Sequence, residues 1–204
     1  MDIQSIFLVG FIIFLSAVLY WTYYKKQNDL TKISRLVFFT TATSYGVLIS
    51  GLWLINSPFN EVIYPTRWLF YILSCSLLMF EIGIILNKTN LEKIEMVVLN
   101  ALVMLTGFLA SITLSPLKWV FFILSSLIFF YLLKIINQKS GKQTDFMNKI
   151  RCFVKITWTL FPVVWLLAPT GFGLLTALTT AFLYLLLDIT TKIVFSYYAA
   201  KGKF

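Results

Sequence analysis

Two ionisable side chains stand inside the apolar run LLLDITTKIVF, residues 185–195: Asp188 and Lys192. Four residues apart, they share one face of a helix. If the run crosses a bilayer, each costs about 2.5–3.5 kcal/mol at the helix centre. Burial disfavours the charged form of an amine, and a neutral amine is a nucleophile that condenses with an aldehyde to a Schiff base. Once protonated, such an imine needs an anion, and Asp188 one turn away would supply it. The plainer reading is an ion pair that stitches helices together. Against it, Lys192 is too near mid-helix to snorkel to an interface. Glu81 and Arg67 are the other ionisable residues on apolar runs of this kind, Arg67 at the opening of its run and Glu81 with no cation close in sequence.

The elements that position these groups follow from composition. The 204 residues are 59% hydrophobic and 12% charged, with mean hydropathy +0.87; soluble domains run about 45–50% apolar and about 25% charged. A multi-pass protein of the cell membrane is expected. A spanning helix needs about 20 mostly apolar residues, and seven runs qualify: 5–24, 35–55, 66–86, 94–113, 118–137, 152–168 and 173–199. The expected fold is all-α, a seven-transmembrane helix bundle forming one domain over residues 1–204. The first run is too long for a signal-peptide core and no small-residue cleavage pattern follows it. Connections such as LSPLK and APTGFG leave no room for a soluble domain. No internal repeat is evident, which weighs against an inverted-repeat transporter.

Histidine is absent, and Cys75 and Cys152 lie on different apolar runs. A metal site and a disulfide framework are therefore not expected. The net charge of +9 is a matter of topology. Thirteen basic residues fall on one side: four in KKQNDLTKISR, then Lys88 and Lys93, five from Lys134 to Arg151, and Lys201 with Lys203. Lys155 is close by, and the other side has Arg67 and Lys118 alone. The positive-inside rule places the N-terminus outside and the C-terminus in the cytoplasm. No nucleic acid is expected as a partner.

The sixth run reads WTLFPVVWLLAP. Trp158, Phe161 and Trp165 share a helix face at i, i+3 and i+7, and Pro162 kinks the helix between them. Aromatics so spaced are usually core; beside a buried lysine on the next helix they suit a ligand wall. On the third run Arg67, Ser74 and Glu81 recur every seven residues and form one stripe, with Phe70 and Cys75 beside it. Glu81 lies about 16 Å along the axis from Phe70.

RWLFYILSCSLLMFE, WTLFPVVW and LDITTK, in their order along the chain, resemble the microbial rhodopsins, seven-helix proteins that carry all-trans retinal as a Schiff base. The resemblance covers the whole chain. It implies that Lys192 carries retinal and that Asp188 is its counterion. It implies a pocket wall of Trp158, Phe161, Pro162 and Trp165, with Tyr71 and Leu78 sandwiching the polyene. Asn100, Thr106, Gly107 and Phe122 would border the ring. Outward proton pumps of the family have an aspartate where this chain has Phe70, and release carboxylates where it has Thr170 and Thr180. The triplet Phe70, Ser74, Glu81, with Cys75 next, is similar to the schizorhodopsins, light-driven inward proton pumps. By resemblance the chain would form a homotrimer.

The expected activity is thus light-driven ion transport rather than enzymatic catalysis. Asp188, faced by Arg67 and left as sole counterion, would stay a poor proton acceptor. The proton would move toward the cytoplasm with the help of Glu81, and the imine would be reprotonated from outside past Arg67 and the threonines. Ser74 and Cys75 would hydrogen-bond near the imine. The rivals are an outward pump with Glu81 as donor, a photosensor, a chloride pump, and a seven-helix transporter that needs no retinal. With KGKF at the C-terminus, no transducer is expected.

Overall fold

The computed structural model describes residues 2–25, 28–56, 62–139 and 143–201. Helices α1 (Ile3–Tyr23), α2 (Asp29–Ser50), α3 (Pro65–Ile85), α4 (Asn90–Ile112), α5 (Leu117–Asn137) and α6 (Asp145–Leu167) follow in order. The seventh span begins as α7 (Ala177–Asp188), passes through a π-helical turn at Ile189–Val194 and ends as α8 (Phe195–Lys201). Among the described residues seven helices are long and apolar enough to cross a membrane, so the chain is a multi-pass membrane protein. The first five helices pack on one another in chain order, and the seventh span closes the bundle against α1 and α2.

Several boundaries shift from the hydropathy runs, and the cause is capping. α2 starts at Asp29 rather than near 35, because Asn28 and Thr31 form a reciprocal capping box. Lys32 and Arg35 therefore belong to the helix and not to a loop. It stops at Gly51, whose φ of 64° is the left-handed conformation that glycine adopts without penalty. α6 starts at Asp145, seven residues early, under a Thr144 cap. α7 starts at Ala177 under Thr176, leaving residues 173–176 outside the helix. Between α2 and α3 an antiparallel pair, β1 (Ile55–Asn56) and β2 (Val62–Ile63), interrupts the all-helical pattern. Two-residue strands are too short to leave a periodicity in sequence. Lys203 lies outside the described residues.

Two buried cations fasten the end of the bundle that bears most of the basic residues. Lys88 pairs with Glu92 at 3.0 Å and donates to the Gln138 carbonyl at 2.8 Å. Arg151 Nε donates to the Ile136 carbonyl at 3.1 Å. The acceptors are carbonyls at the C-terminal end of α5, one in its last turn and one on its C-cap residue, and cations are favoured there. At the opposite end Lys118 of α5 donates to the carbonyls of Thr170 and Gly171 at 3.1 and 3.0 Å, tying down the turn after α6.

Candidate functional site

The π-helical turn carries Lys192 and follows directly on Asp188. Such turns concentrate at functional sites, since the extra residue re-aims a side chain. Lys192 and Asp188 are 0% and 1% exposed. The Lys192 ammonium donates to Asp188 Oδ1. The other carboxylate oxygen, Oδ2, accepts from Tyr45 Oη of α2 at 2.8 Å and from Tyr71 Oη of α3 at 2.9 Å. The ion pair is thus internal to one span, and the tyrosines join the helices. Lys192 Nζ also lies 4.6 Å from the centroid of the Tyr71 ring.

A cavity of about 350 Å³ opens beside this group. Its wall includes Tyr71 and Cys75 of α3, Asn100 and Gly107 of α4, and Phe122 of α5. α6 contributes Trp158, Phe161, Pro162 and Trp165. Phe122 stacks on Trp165 at 4.7 Å, and Trp165 Nε1 donates to Ser111 Oγ at 2.8 Å. Phe161 packs edge-on against Tyr71 and parallel to Tyr184, each at 6.2 Å. Asn100 donates to Ser76 at 3.2 Å, and its Oδ1 has no partner. Arg67, Thr170 and Thr180 line the cavity toward the β1–β2 end.

The structure does not bring every candidate to this wall. Thr106 spends its hydroxyl on the carbonyls of Leu102 and Val103 in its own helix. Leu78 is fully buried in the helix-packing core. Phe70 is half-buried and lies outside the cavity wall. Ser74 is 1% exposed, with no partner for Oγ.

Arg67 faces Asp188 electrostatically without touching it. It makes no ion pair with Asp188 among the described residues. Its guanidinium lies between the rings of Phe7 and Tyr184, at 5.4 and 5.5 Å, and Nη2 has no partner. The nearest groups on Asp188 are instead the lysine and two phenols. Tyr45 lies 143 positions from Asp188, beyond any local spacing; Tyr71 adds to its aromatic face a hydroxyl that reaches Asp188.

Glu81 is enclosed by the bundle. It is 0% exposed. Ser34 of α2 donates to its Oε1 at 2.8 Å, and Oε2 has no partner. Lys88 is engaged with Glu92, and Lys93 lies over the Phe80 ring. Ser34, 47 positions from Glu81, is a second partner that no local spacing could reveal.

The model of the family described as "Bacteriorhodopsin-like protein" matches residues 2–203. The crystal structure of schizorhodopsin 4 superposes with a TM-score of 0.90 at 38% identity, covering 98% of both chains. Bacteriorhodopsin-II of Haloarcula marismortui is 22% identical over 192 residues, 87% of this chain and 76% of that protein. Sensory rhodopsin-2 of Haloarcula vallismortis is 27% identical over 161 residues, 74% and 68% of the two chains. With a buried lysine–aspartate pair beside an aromatic cavity and a family match along nearly its whole length, the chain belongs to the bacteriorhodopsin-like family, the retinal-binding microbial rhodopsins that serve as light-driven ion pumps and sensors.

Proposed function

We propose that this chain is a light-driven inward proton pump, moving protons toward the side that bears the basic loops. The observation that carries this reading is the contrast between its two buried carboxyl groups. Asp188 takes hydrogen bonds from Lys192, Tyr45 and Tyr71. Glu81 takes one, from Ser34, and keeps a bare oxygen. Spare capacity for a proton therefore lies at Glu81, and Phe70 offers none. The likeness to schizorhodopsin 4 supports the same direction.

The residues fit retinal. The cavity is within the range of about 300–1,000 Å³ typical of small-molecule sites. Its wall is mainly aromatic and aliphatic and among the described residues holds no carboxylate, and Tyr71 joins it to a buried primary amine. Trp158, Trp165, Phe122 and Tyr71 would hold the chromophore and Lys192 would bear it. Bound there, retinal would supply a light-driven change of shape that turns the proton on the Lys192 nitrogen away from Asp188.

The protein's own groups do the rest. Tyr45 and Tyr71 keep Asp188 saturated on Oδ2, so it holds its charge opposite Lys192 and does not take the proton. Ser74 stands two turns before Glu81 on the same face of α3, and in this reading its buried hydroxyl would help the proton toward Glu81. Ser34 fixes one oxygen of Glu81, leaving the other to attract or carry the proton. Lys192 regains a proton from the opposite end, along the cavity past Arg67, Thr180 and Thr170. The asymmetry of basic loops supports an external N-terminus, which makes this flow inward.

Illumination of cells that express the protein tests the proposal. A rise in external pH, abolished by an uncoupler, is expected. Light-induced acidification would overturn it. A visible band with no pH change would favour a sensor.

A further inference from the structure

Tyr45 reaches Asp188 through a slot in α1. Phe7, Gly10 and Phe14 stand at i, i+3 and i+7 on one face of that helix, and all are buried. Phe14 lies nearly parallel to the Tyr45 ring at 5.9 Å, and Phe7 meets it at a tilt at 6.4 Å. Gly10 leaves the ring its space. A Cβ there would stand 2.6 Å from Cε1, 2.7 Å from Cδ1 and 2.9 Å from Cζ of Tyr45. Cζ carries the hydroxyl that donates to Asp188, and the ring is 2% exposed, so it cannot swing into open space. Gly46, also between α1 and α2, is unlike it: a Cβ there would meet Phe11 at 3.4 Å, close to ordinary contact.

We infer that Gly10 is a positioning residue for the Asp188–Lys192 pair. Its missing Cβ sets where the Tyr45 hydroxyl lies, and through it how Oδ2 of Asp188 is hydrogen-bonded opposite Lys192. α1 thereby shapes the chemistry of the site without contributing a polar group to it. The inference rests on Lys192 being the chromophore-bearing residue. A glycine that served helix packing alone would affect stability and leave the site unchanged, and that difference can be measured.

The experiment compares Gly10→Ala, Tyr45→Phe, their double variant, Phe14→Leu and the control Gly46→Ala. Two quantities are read: the visible band after all-trans retinal is added, and the melting temperature of the retinal-free protein. Gly10→Ala is expected to move the band in the same direction as Tyr45→Phe, and the double variant to move it no further than Tyr45→Phe. Phe14→Leu frees the ring on its stacked side and is expected to move the band likewise, while Gly46→Ala leaves it in place. A Gly10→Ala protein that melts earlier but keeps the wild-type band overturns the inference, as does a shift that adds to that of Tyr45→Phe. If Gly10→Ala forms no pigment, an unmoved band in Phe14→Leu overturns it. A wild-type protein with no band would sink the retinal reading instead. The melting temperatures then decide: losses for Gly10→Ala and Tyr45→Phe that are less than additive uphold the slot, and additive losses overturn it.

Discussion

The Ser34 hydroxyl donates to Oε1 of Glu81 at 2.8 Å, with the two side chains 2% and 0% exposed. A carboxyl held by one neutral donor and sealed from solvent is an unusual object within a membrane span. If it guides the proton, Glu81→Gln keeps the size and leaves the cavity wall untouched. The visible band should stay nearly in place while light-driven transport is lost. Ser34→Ala should weaken transport without abolishing it and cost about 1–2 kcal/mol, the scale of one buried hydrogen bond. Pumping by Glu81→Gln at the wild-type rate would remove Glu81 from the proton route.

Tyr45 and Tyr71 act on a single oxygen of Asp188. Removing either hydroxyl concentrates negative charge opposite Lys192. That stabilises a positive charge on the nitrogen in the ground state more than in the excited state, where the charge has moved away. Tyr45→Phe and Tyr71→Phe should each move the band to shorter wavelength. Each should also lower stability by about 1.5–3 kcal/mol, the range for hydrogen bonds to a charged group. Absorption spectra and thermal melts check both.

Lys192→Ala should abolish colour, since no amine remains at the cavity. It also strands Asp188 in the core, and breaking a buried pair costs about 3–5 kcal/mol. Lys192→Ala with Asp188→Asn should therefore melt higher than Lys192→Ala alone, with both colourless. A coloured Lys192→Ala protein would mean that the chromophore is held elsewhere.

Lys118 holds the Thr170 and Gly171 carbonyls at the far mouth of the cavity. Lys118→Met retains the stem and removes both hydrogen bonds. The band should keep its position, because Asp188 and Lys192 are untouched. Bleaching on heating should be faster, since Thr170 belongs to the cavity wall. A shifted band with unchanged thermal bleaching would contradict this.

Much of the site was legible along the chain because helices make it so. The Asp188–Lys192 spacing puts both on one face whatever surrounds them. The same periodicity aligned Trp158, Phe161 and Trp165, all of which line the cavity, and the stripe Arg67, Ser74, Glu81. Hydropathy found all seven spans, and erred mostly where polar caps extend a helix past its apolar stretch, as at Asn28 and Thr144. Thr106 and Leu78, named from the resemblance and not from periodicity, stand apart from the cavity wall: one satisfies its own backbone and the other is packed between helices.

The sequence by itself determined the spans, the shared face of Asp188 and Lys192, and the absence of a carboxylate at position 70. Tertiary structure decided the partners: Tyr45 on Asp188 across 143 positions, Ser34 on Glu81 across 47, Trp165 on Ser111 across 54. It also set the Arg67 guanidinium against the rings of Phe7 and Tyr184. The reason is physical. Local periodicity fixes which residues share a face of one helix, because 3.6 residues make a turn. Which faces meet depends on how each helix is rotated and how closely it approaches its neighbours, and packing across the whole bundle settles that.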